Sequence, residues 1–266
     1  MIDQHIWSSV RNERPIVHTI SNIVTANDSA NILLAIGASP IMADEPKEMK
    51  DITEVSHATV INIGTPNDRL FEASYIAAKK ANKLKQPLVI DPVGVGASQY
   101  RKEEMLQLLK EIKPTIIRGN LGELQTLVGQ EGKARGVDSE EDEFKNSKIT
   151  AQNLAKQFDC TVLLTGAKDY ITDGNVSYSI SGGNQRMQQI TGTGCMLTVW
   201  CGALAAVTTP LEAALNASFA WKACGEVAGK NSKGIGQMHA SLFDSAEQLP
   251  HILKETKQVE FKEEDI

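Results

Sequence analysis

Short runs of β-branched and aliphatic residues recur along the chain, and stretches with helical periodicity separate them. The runs occupy residues 16–20, 39–42, 58–64, 87–92, 115–118 and 161–165. Continuous apolar strands joined by helices are typical of parallel sheets that helices cover on both faces. The alternation therefore predicts an α/β protein with three layers, α/β/α, and a mostly parallel central sheet.

Helices are predicted from the apolar periodicity between and after these runs. They cover residues 26–36, 68–84, 102–111, 150–158, 194–207, 210–229 and 240–253, and a further helix begins near Leu121. A hairpin is predicted through Asp173-Gly174-Asn175. The charged segment 129–146 contains an acidic run and is interpreted as an exposed loop with no assigned function. No repeat or low-complexity linker interrupts the pattern, so residues 1–266 are treated as a single domain.

Composition excludes several classes of function. The chain has 266 residues, a formal net charge of -6 and no cluster of Lys and Arg, which argues against nucleic acid as the main ligand. Its opening lacks the pattern of a signal peptide, and its longest apolar run is too short to span a bilayer, so we expect a cytoplasmic protein. The 4 cysteines lack CxxC spacing, which makes a zinc site or a disulfide framework unexpected.

Two glycines, Gly192 and Gly194, lie one residue apart at the start of a long apolar run. This pattern predicts a tight loop that leads directly into a buried helix. The first amides of such a helix have no intrahelical partners and carry partial positive charge, so they can hold an anion such as phosphate. The same two glycines would also allow a core helix to pack closely, and alone they do not decide between the two interpretations.

Polar residues follow the predicted strands, where open parallel sheets collect their ligands. They are Asn22, Met42, Gly64, Asp91, Arg118, Asn120, Glu123, Thr165 and Gly166, of which only Met42 and the two glycines lack a polar side chain. Arg118 can form bidentate hydrogen bonds with phosphate oxygens, and Asp91 and Glu123 can hold Mg²⁺ through its water ligands. Singly, Asp91 could form a turn, Arg118 a surface ion pair, and Asn120 with Glu123 a capping box. Their joint occurrence with an anion-holding helix start favours a phosphate site.

Two motifs are similar to signatures of the ribokinase-like superfamily. Asn120-Leu121-Gly122-Glu123 matches Asn-x-x-Glu, and Gly192-Thr193-Gly194-Cys195 stands where these proteins carry Gly-x-Gly-Asp. Further segments, together with the second motif, resemble the hydroxyethylthiazole kinase family in order and spacing from about Pro15 to past Pro210. They are Val17-His18-Thr19-Ile20-Ser21-Asn22, Gly37-Ala38-Ser39-Pro40-Ile41-Met42, Asn62-Ile63-Gly64-Thr65, Asp91-Pro92-Val93-Gly94 and Ile117-Arg118-Gly119-Asn120.

The resemblance implies a ribokinase-like fold and a homotrimer with active sites at subunit boundaries. It also implies ATP- and Mg²⁺-dependent phosphorylation of the primary alcohol of 4-methyl-5-(2-hydroxyethyl)thiazole in thiamine salvage. The implied substrate-binding residues are Asn22, Val24, Met42, Gly64, Gly192 and Cys195. The implied ATP-binding residues are Arg118, Asn120, Thr165 and Gly166, and the implied metal-organising residues are Asp91 and Glu123. Catalysis is assigned to Gly192, Gly194 and Cys195.

Cys195 replaces the usual superfamily aspartate and leaves three possible roles. A position at a helix N-terminus lowers a thiol pKa, so Cys195 could be partly thiolate and accept the hydroxyl proton late. It could instead only contact the substrate. A covalent nucleophile is the least supported role, because neither His18 nor His239 has the context of an activating partner.

Rival functions share parts of this pattern. A nucleotide-dependent dehydratase of hydrated NAD(P)H has the same fold, but the surroundings of Asn22 and Met42 argue against it. A non-catalytic nucleotide sensor would not need Glu123. Among kinases, those for hydroxymethylpyrimidine and pyridoxal are the nearest alternatives, and they differ in the residues at the strand ends.

Overall fold

A computed structural model describes residues 2–129, 140–256 and 259–264. In this part of the chain, 9 strands form one sheet in the order β2-β1-β3-β4-β5-β6-β7-β8-β9. They are β1 (Ile16–Ile20), β2 (Ser39–Ile41), β3 (Ala58–Asn62), β4 (Leu88–Asp91), β5 (Ile116–Asn120), β6 (Thr161–Thr165), β7 (Asp169–Thr172), β8 (Ser177–Ser181) and β9 (Glu260–Glu264). Strands β1 to β6 pair in parallel, whereas β7, β8 and β9 add an antiparallel extension at one edge. The predicted strands and the hairpin at residues 173–175 are confirmed.

Helices cover both faces of the sheet, which confirms the predicted three-layer architecture. They are α1 (Gln4–Glu13), α2 (Ala26–Ala35), α3 (Met49–Val55), α4 (Asp68–Leu84), α5 (Gln99–Glu111), α6 (Leu121–Leu127), α7 (Glu140–Phe158), α8 (Thr193–Ala205), α9 (Pro210–Asn231), α10 (Ile235–Glu247) and α11 (Leu249–Glu255). Two short 3₁₀ segments occur at Val95–Ala97 and Gln185–Gln189. One apolar core joins the sheet to α1, α2 and α8 to α11, and a second joins it to α3 to α7.

Side-chain caps explain why several helices begin where they do. Asn67 accepts a hydrogen bond from the amide of Leu70 and so begins α4 at the predicted residue. Ser98 accepts one from the amide of Arg101, and α5 therefore begins at Gln99, earlier than the predicted residue 102. Local polar side chains thus set helix boundaries that apolar periodicity leaves imprecise.

Two predictions about the helical regions were wrong. The segment 140–146 is the first part of α7 and not a loop, while residues 130–139 of the predicted loop lie outside the described residues. The helix predicted over 240–253 begins earlier, at Ile235, and divides into α10 and α11. Pro250 lies in the first turn of α11, where its missing amide hydrogen costs nothing, whereas inside one continuous helix it would remove a hydrogen bond. Helices α1 and α3 and strand β9 were not predicted.

Helix α8 is the most completely buried helix that leads to the sheet edge where ligands are expected. Its residues from Cys195 to Ala205 are all buried. Trp200 at its centre donates its indole N–H to the carbonyl of Ile32 and packs edge-on against Trp7 and Trp221. The tryptophan rings and the sheet together fix the position of the N-terminus of α8.

Among the described residues, no helix is both long and apolar enough to cross a membrane.

Gly202 allows α8 to lie directly on the sheet, and this contact generates a stability prediction. A Cβ at Gly202 would lie 2.7 Å from Cγ2 of Val60 on β3. We expect Gly202→Ala to lower the free energy of unfolding by about 1–3 kcal/mol, because the added methyl group would force α8 and β3 out of their packed positions. Urea denaturation measures the change.

Gly236→Ala provides the matched control, because a Cβ at Gly236 in α10 meets nothing within 4 Å. Alanine is the better helix former, so this variant should be neutral or stabilised by up to about 1 kcal/mol. Equal unfolding free energies for the two variants would contradict the close-packing explanation.

Candidate active site

The carboxyl ends of five adjacent parallel strands bring the predicted site residues to one edge of the sheet. Because β1, β3, β4, β5 and β6 are neighbours in that order, residues at or after their ends lie side by side. These residues are Asn22 after β1, Asn62 and Gly64 at β3, Asp91 at β4, Arg118 in β5 and Thr165 in β6. The N-terminus of α8 lies against the same edge, as the contacts below show.

Asn62 is at the centre of the polar contacts on the β1 and β3 side. Its Nδ2 donates to Oδ2 of Asp91 at 3.0 Å and to Sγ of Cys195 at 3.1 Å. Its Oδ1 accepts from Nδ2 of Asn22 at 2.9 Å and from the amide of Gly64 at 2.9 Å. The two asparagines therefore join the thiol at the start of α8 to the carboxylate at the end of β4.

Asp91 is a fully buried carboxylate between this group and a guanidinium. Its Oδ2 also accepts from Oγ1 of Thr198 at 2.7 Å, while its Oδ1 has no hydrogen-bond partner and lies 3.7 Å from Nη1 of Arg118. Burial raises the pKa of Asp91 to about 6, although the positive charge of Arg118 opposes the shift. Arg118 Nη2 in turn donates to Oγ1 of Thr165 at 2.6 Å. A continuous series of polar contacts thus runs from Asn22 to Thr165.

The glycines at the start of α8 are required by the close approach of other groups. Gly192 has φ +89°, and a Cβ there would lie 2.6 Å from Cγ2 of Thr25. A Cβ at Gly194 would overlap the guanidinium of Arg118. The first intrahelical bond is from the amide of Met196 to the carbonyl of Gly192, so the amides of residues 193–195 precede the helical ladder. Free amides beside a guanidinium form a surface that attracts an anion such as phosphate.

Cys195 differs in its ionisation from the prediction. Burial and the nearby negative charge of Asp91 raise the pKa of the Cys195 thiol, although hydrogen bonds from Thr25 and Asn62 and the charge of Arg118 oppose this. The expectation of a lowered pKa is therefore wrong, because burial and the charge of Asp91 outweigh the neighbours that favour the thiolate. Nε2 of His18 contacts the carbonyl of Ala43 and Nε2 of His239 pairs with Asp28, and no hydrogen bond among the described residues joins either ring to the thiol.

Asn120 and Glu123 form the capping box that sequence reasoning offered as the simpler interpretation. Glu123 Oε2 accepts from the amide of Asn120 at 2.9 Å, and its Oε1 accepts from the amide of Gly94 at 3.0 Å. Both carboxylate oxygens keep a free lone pair, so the cap does not conflict with a metal role. No group of three or more metal-ligating side chains occurs in the described part of the chain. Glu123 and the unpartnered Oδ1 of Asp91 therefore suit a Mg²⁺ ion that keeps most of its water ligands.

A buried ion pair fixes the turn that follows β6. Lys222 of α9 lies 3.3 Å from Oδ1 of Asp169, and its ammonium group also approaches the carbonyls of Gly166 and Ala167. The same Asp169 oxygen accepts from the amide of Gly166 at 3.0 Å, and Oδ2 accepts from Ser218. The predicted nucleotide-binding residue Gly166 is thus held by groups that sequence analysis did not identify.

The structure places the remaining predicted residues near this edge but outside the polar contacts. Val24 is 63% exposed beside Asn22, and Met42 is half-buried just after β2. Asn62 and Thr198 were missed as site residues. A polar residue at the last position of an apolar strand was the available signal for Asn62, whereas Thr198 resembles any other residue of a buried helix.

The fold and the helix start at this sheet edge define the ribokinase-like class of α/β proteins. Staphylococcus aureus pyridoxal kinase in complex with ADP has this fold, with a TM-score of 0.66, 18% identity, and coverage of 94% of this chain and 98% of that one. The profile of the hydroxyethylthiazole kinase family matches residues 7–252, and the chain belongs to that family.

Individual relatives agree with this assignment. Hydroxyethylthiazole kinase from Clostridium beijerinckii is 42% identical over 92% of this chain and 91% of its own length. The Pyrococcus abyssi enzyme of the same name is 40% identical over 89% of both chains. The structure of the Pyrococcus horikoshii hydroxyethylthiazole kinase has a TM-score of 0.90 and 34% identity, with 98% of each chain covered.

The raised pKa of Asp91 generates a prediction about stability and pH. An unfolded aspartate titrates near 3.8 and the folded one near 6, so the folded state binds more protons between these values. The contribution of Asp91 to stability is therefore present at low pH and lost as pH rises through 6. Because asparagine does not titrate, the unfolding free energy of Asp91→Asn minus that of wild type should increase by roughly 1–3 kcal/mol from pH 4 to pH 7.

Urea denaturation at pH 4, 5, 6 and 7 without nucleotide or Mg²⁺ measures this difference. Asp159→Asn, at an exposed carboxylate, controls for general removal of negative charge. A difference between Asp91→Asn and wild type that stays constant with pH would show that burial does not shift the titration of Asp91.

Proposed function

We propose that the chain transfers the γ-phosphoryl group of ATP, with Mg²⁺, to the primary alcohol of 4-methyl-5-(2-hydroxyethyl)thiazole, forming the thiazole phosphate of thiamine salvage. The observation that carries this proposal is the continuous series of polar contacts from Asn22 to Thr165, beside the free amides of α8. Residues 1–266 act as one catalytic domain, because the described strands share one sheet. All four cysteines are free thiols, which supports a reducing, cytoplasmic location.

The alcohol binds at the β1 and β3 end of this series in our proposal. Asn22, Val24, Met42 and Gly64 line the pocket for the thiazole ring, and Gly192 and Cys195 border the hydroxyethyl group. Asn22 and Gly64 can border the same pocket because they lie against each other. A Cβ added at Gly64 would be only 2.9 Å from Cβ of Asn22. The exposed apolar side chain of Val24 is available to an apolar ring.

The nucleotide binds at the β5 and β6 end. Thr165, Gly166 and Asn120 border the phosphate chain. Arg118 lies between these residues and the amides of Gly194 and Cys195. Phosphoryl transfer to an alcohol passes through a loose transition state whose charge is spread over the equatorial oxygens. Arg118 and the α8 amides stabilise that charge and align the donor with the hydroxyl. Asp91 and Glu123 would hold the Mg²⁺ ion, which would supply positive charge to offset that of the phosphates.

Cys195 contacts the hydroxyl in this proposal and is not a preformed base. The raised pKa of its buried thiol supports this role, because the thiol is neutral before the alcohol loses its proton. In a loose transition state the hydroxyl proton leaves late, so alignment of the alcohol matters more than the strength of a base. A covalent role has no support, since both candidate histidines are engaged elsewhere.

The rival functions are less well supported than thiazole kinase activity. The pyridoxal kinase comparison, at 18% identity, establishes a common fold and nothing about the substrate. The relatives named hydroxyethylthiazole kinase are about 40% identical over most of both chains. The elimination performed by a dehydratase would form no phosphorylated alcohol, so product analysis separates it from a kinase.

An ADP-release assay tests the proposed function directly. We expect kcat/KM for the thiazole alcohol to exceed that for hydroxymethylpyrimidine or pyridoxal by at least about 10-fold, and EDTA to abolish turnover. Glu123→Gln should reduce turnover by about 10²-fold, because it would weaken the hold on the Mg²⁺ ion that offsets phosphoryl charge. Glu72→Gln, on the exposed face of α4, is the matched control and should retain activity. Preference for pyridoxal, or no ADP from the thiazole alcohol, would refute the proposal.

Variants at the start of α8 separate the role of the amides from that of the thiol. Cys195→Ala should lower turnover yet keep clear Mg²⁺-dependent activity, and Cys195→Asp should be tolerated, because both retain the amides. Gly194→Val should be far worse, since its side chain would displace Arg118. The measurement is kcat/KM for the thiazole alcohol, with circular dichroism as the folding control. If folded Cys195→Ala and Cys195→Asp are as inactive as Gly194→Val, the thiol is indispensable.

A homotrimer with active sites at subunit boundaries is the assembly we propose. Ile23 and Val24 support it, because these apolar side chains are 84% and 63% exposed directly beside Asn22. Light scattering at assay concentration should give about three times the mass of one chain. A fully active monomer would refute a site shared between subunits.

A further inference from the structure

We propose that Asn62 is a positioning residue for the reaction, which orients Cys195 and Asn22 around the acceptor alcohol and couples them to Asp91. The inference rests on the proposed function and assigns a role to a residue outside the predicted site. Asn62 is the last residue of β3, it is buried, and it pairs in register with Asp91 on β4. The backbone that carries this side chain is therefore held within the sheet.

Every hydrogen-bonding position of the Asn62 amide is used. A carboxamide has two N–H donors and two acceptor lone pairs. The donors are directed to Asp91 Oδ2 at 3.0 Å and Cys195 Sγ at 3.1 Å. The lone pairs accept from Asn22 Nδ2 at 2.9 Å and the Gly64 amide at 2.9 Å. Four groups on four different segments thus depend on one side chain.

The four partners also permit only one orientation of the amide. A rotation by 180° would direct the NH₂ group at the Gly64 amide and Asn22 Nδ2, which are both donors, and the oxygen at the Asp91 carboxylate. The contacts with Gly64, Asn22 and Asp91 would all become repulsive in a buried, weakly screened setting. The Nδ2 of Asn62 must therefore donate toward Cys195, and the sulfur is held as an acceptor beside the first turn of α8.

Asn22 is held jointly by Asn62 and by Thr25, whose amide donates to Asn22 Oδ1 at 3.0 Å. Its Nδ2 lies within hydrogen-bonding distance of Thr25 Oγ1 at 2.7 Å, Asn62 Oδ1 at 2.9 Å and Cys195 Sγ at 3.5 Å. Two hydrogens cannot serve three acceptors well, and the short bonds to Thr25 and Asn62 use both of them. The long contact from Asn22 to Cys195 is the weakest of the three, so Asn62 and Thr25, and not Asn22, supply the main donors to the sulfur.

Asn62→Asp is the variant that tests this role. Aspartate keeps the shape and the acceptor oxygen for Asn22 and Gly64, but it replaces the N–H donors by an oxygen that faces Asp91 and Cys195. We expect kcat/KM for the thiazole alcohol to fall by about 10²-fold or more, while KM for ATP changes by less than about threefold. A uniform structural defect would not produce this split between the two substrates.

A second readout does not depend on activity. Modification of Cys195 by methyl methanethiosulfonate, followed by mass mapping of the unliganded protein, reports the state of the sulfur. We expect the rate in Asn62→Asp to fall by about 10-fold, because the sulfur loses a donor and gains a neighbouring negative charge. If wild type does not phosphorylate the thiazole alcohol, the proposed function fails, yet this measurement still tests the link between Asn62 and Cys195.

Asn82→Asp is the matched control. Asn82, near the end of α4, also uses both polar atoms of its side-chain amide. It donates to the carbonyl of Lys113 at 2.8 Å and accepts from the backbone amide of Lys113 at 2.7 Å, just before β5 begins. Its kinetic constants and modification rate should stay within about threefold of wild type. If Asn62→Asp does not fold, Asn62→Ser removes the amide without adding a charge and should show the same loss toward the alcohol.

The proposal is overturned if folded Asn62 variants resemble Asn82→Asp in both readouts. It is also overturned if kcat/KM falls equally for ATP and for the alcohol while the modification rate of Cys195 is unchanged. In either case the Asn62 amide only stabilises the fold.

Discussion

The burial of one carboxylate, Asp91, constrains the whole site. A buried charge is tolerated only when other groups compensate it, and those groups must come from several elements at once. Thr198 comes from α8, Asn62 from β3 and Arg118 from β5. The compensation is incomplete, because one carboxylate oxygen lacks a hydrogen bond and the pKa stays raised. An incompletely satisfied carboxylate beside an anion-attracting helix start is a feature of a site for ligands, not of a core that has been optimised for stability.

The same arrangement explains why α8 must carry glycine at two positions. Arg118 can reach Asp91 and Thr165 only by lying against the backbone of Gly194, and Thr25 packs against Gly192 in the same way. These contacts bring the guanidinium next to the free amides, so one surface combines fixed partial charges with a full positive charge. Preorganised groups of this kind stabilise developing charge without rearranging during the reaction.

Sequence reasoning identified those parts of the site that local patterns encode. Residues after apolar strands, such as Asp91 and Arg118, were predicted because parallel topology alone brings strand ends to one edge. The pKa direction of Cys195 was predicted wrongly, because desolvation depends on tertiary burial that a helix-start pattern does not contain. Asn62 and Lys222 were missed for a related reason: each acts through partners on other elements. The long α7 and the division between α10 and α11 depend likewise on packing and on one proline.

The polar series at the sheet edge has two ends with different physical character, and this difference suits the proposed reaction. At the β1 end, neutral amides surround a neutral thiol, an environment that aligns an uncharged alcohol without competing for a metal. At the β6 end, Arg118 and the Asp169–Lys222 ion pair place charged groups around the turn that follows β6, where we propose that the nucleotide phosphates bind. Asp91 contacts both Asn62 and Arg118, so in our proposal its hydrogen bond from Asn62 links the position of the acceptor alcohol to the groups that bind the phosphates.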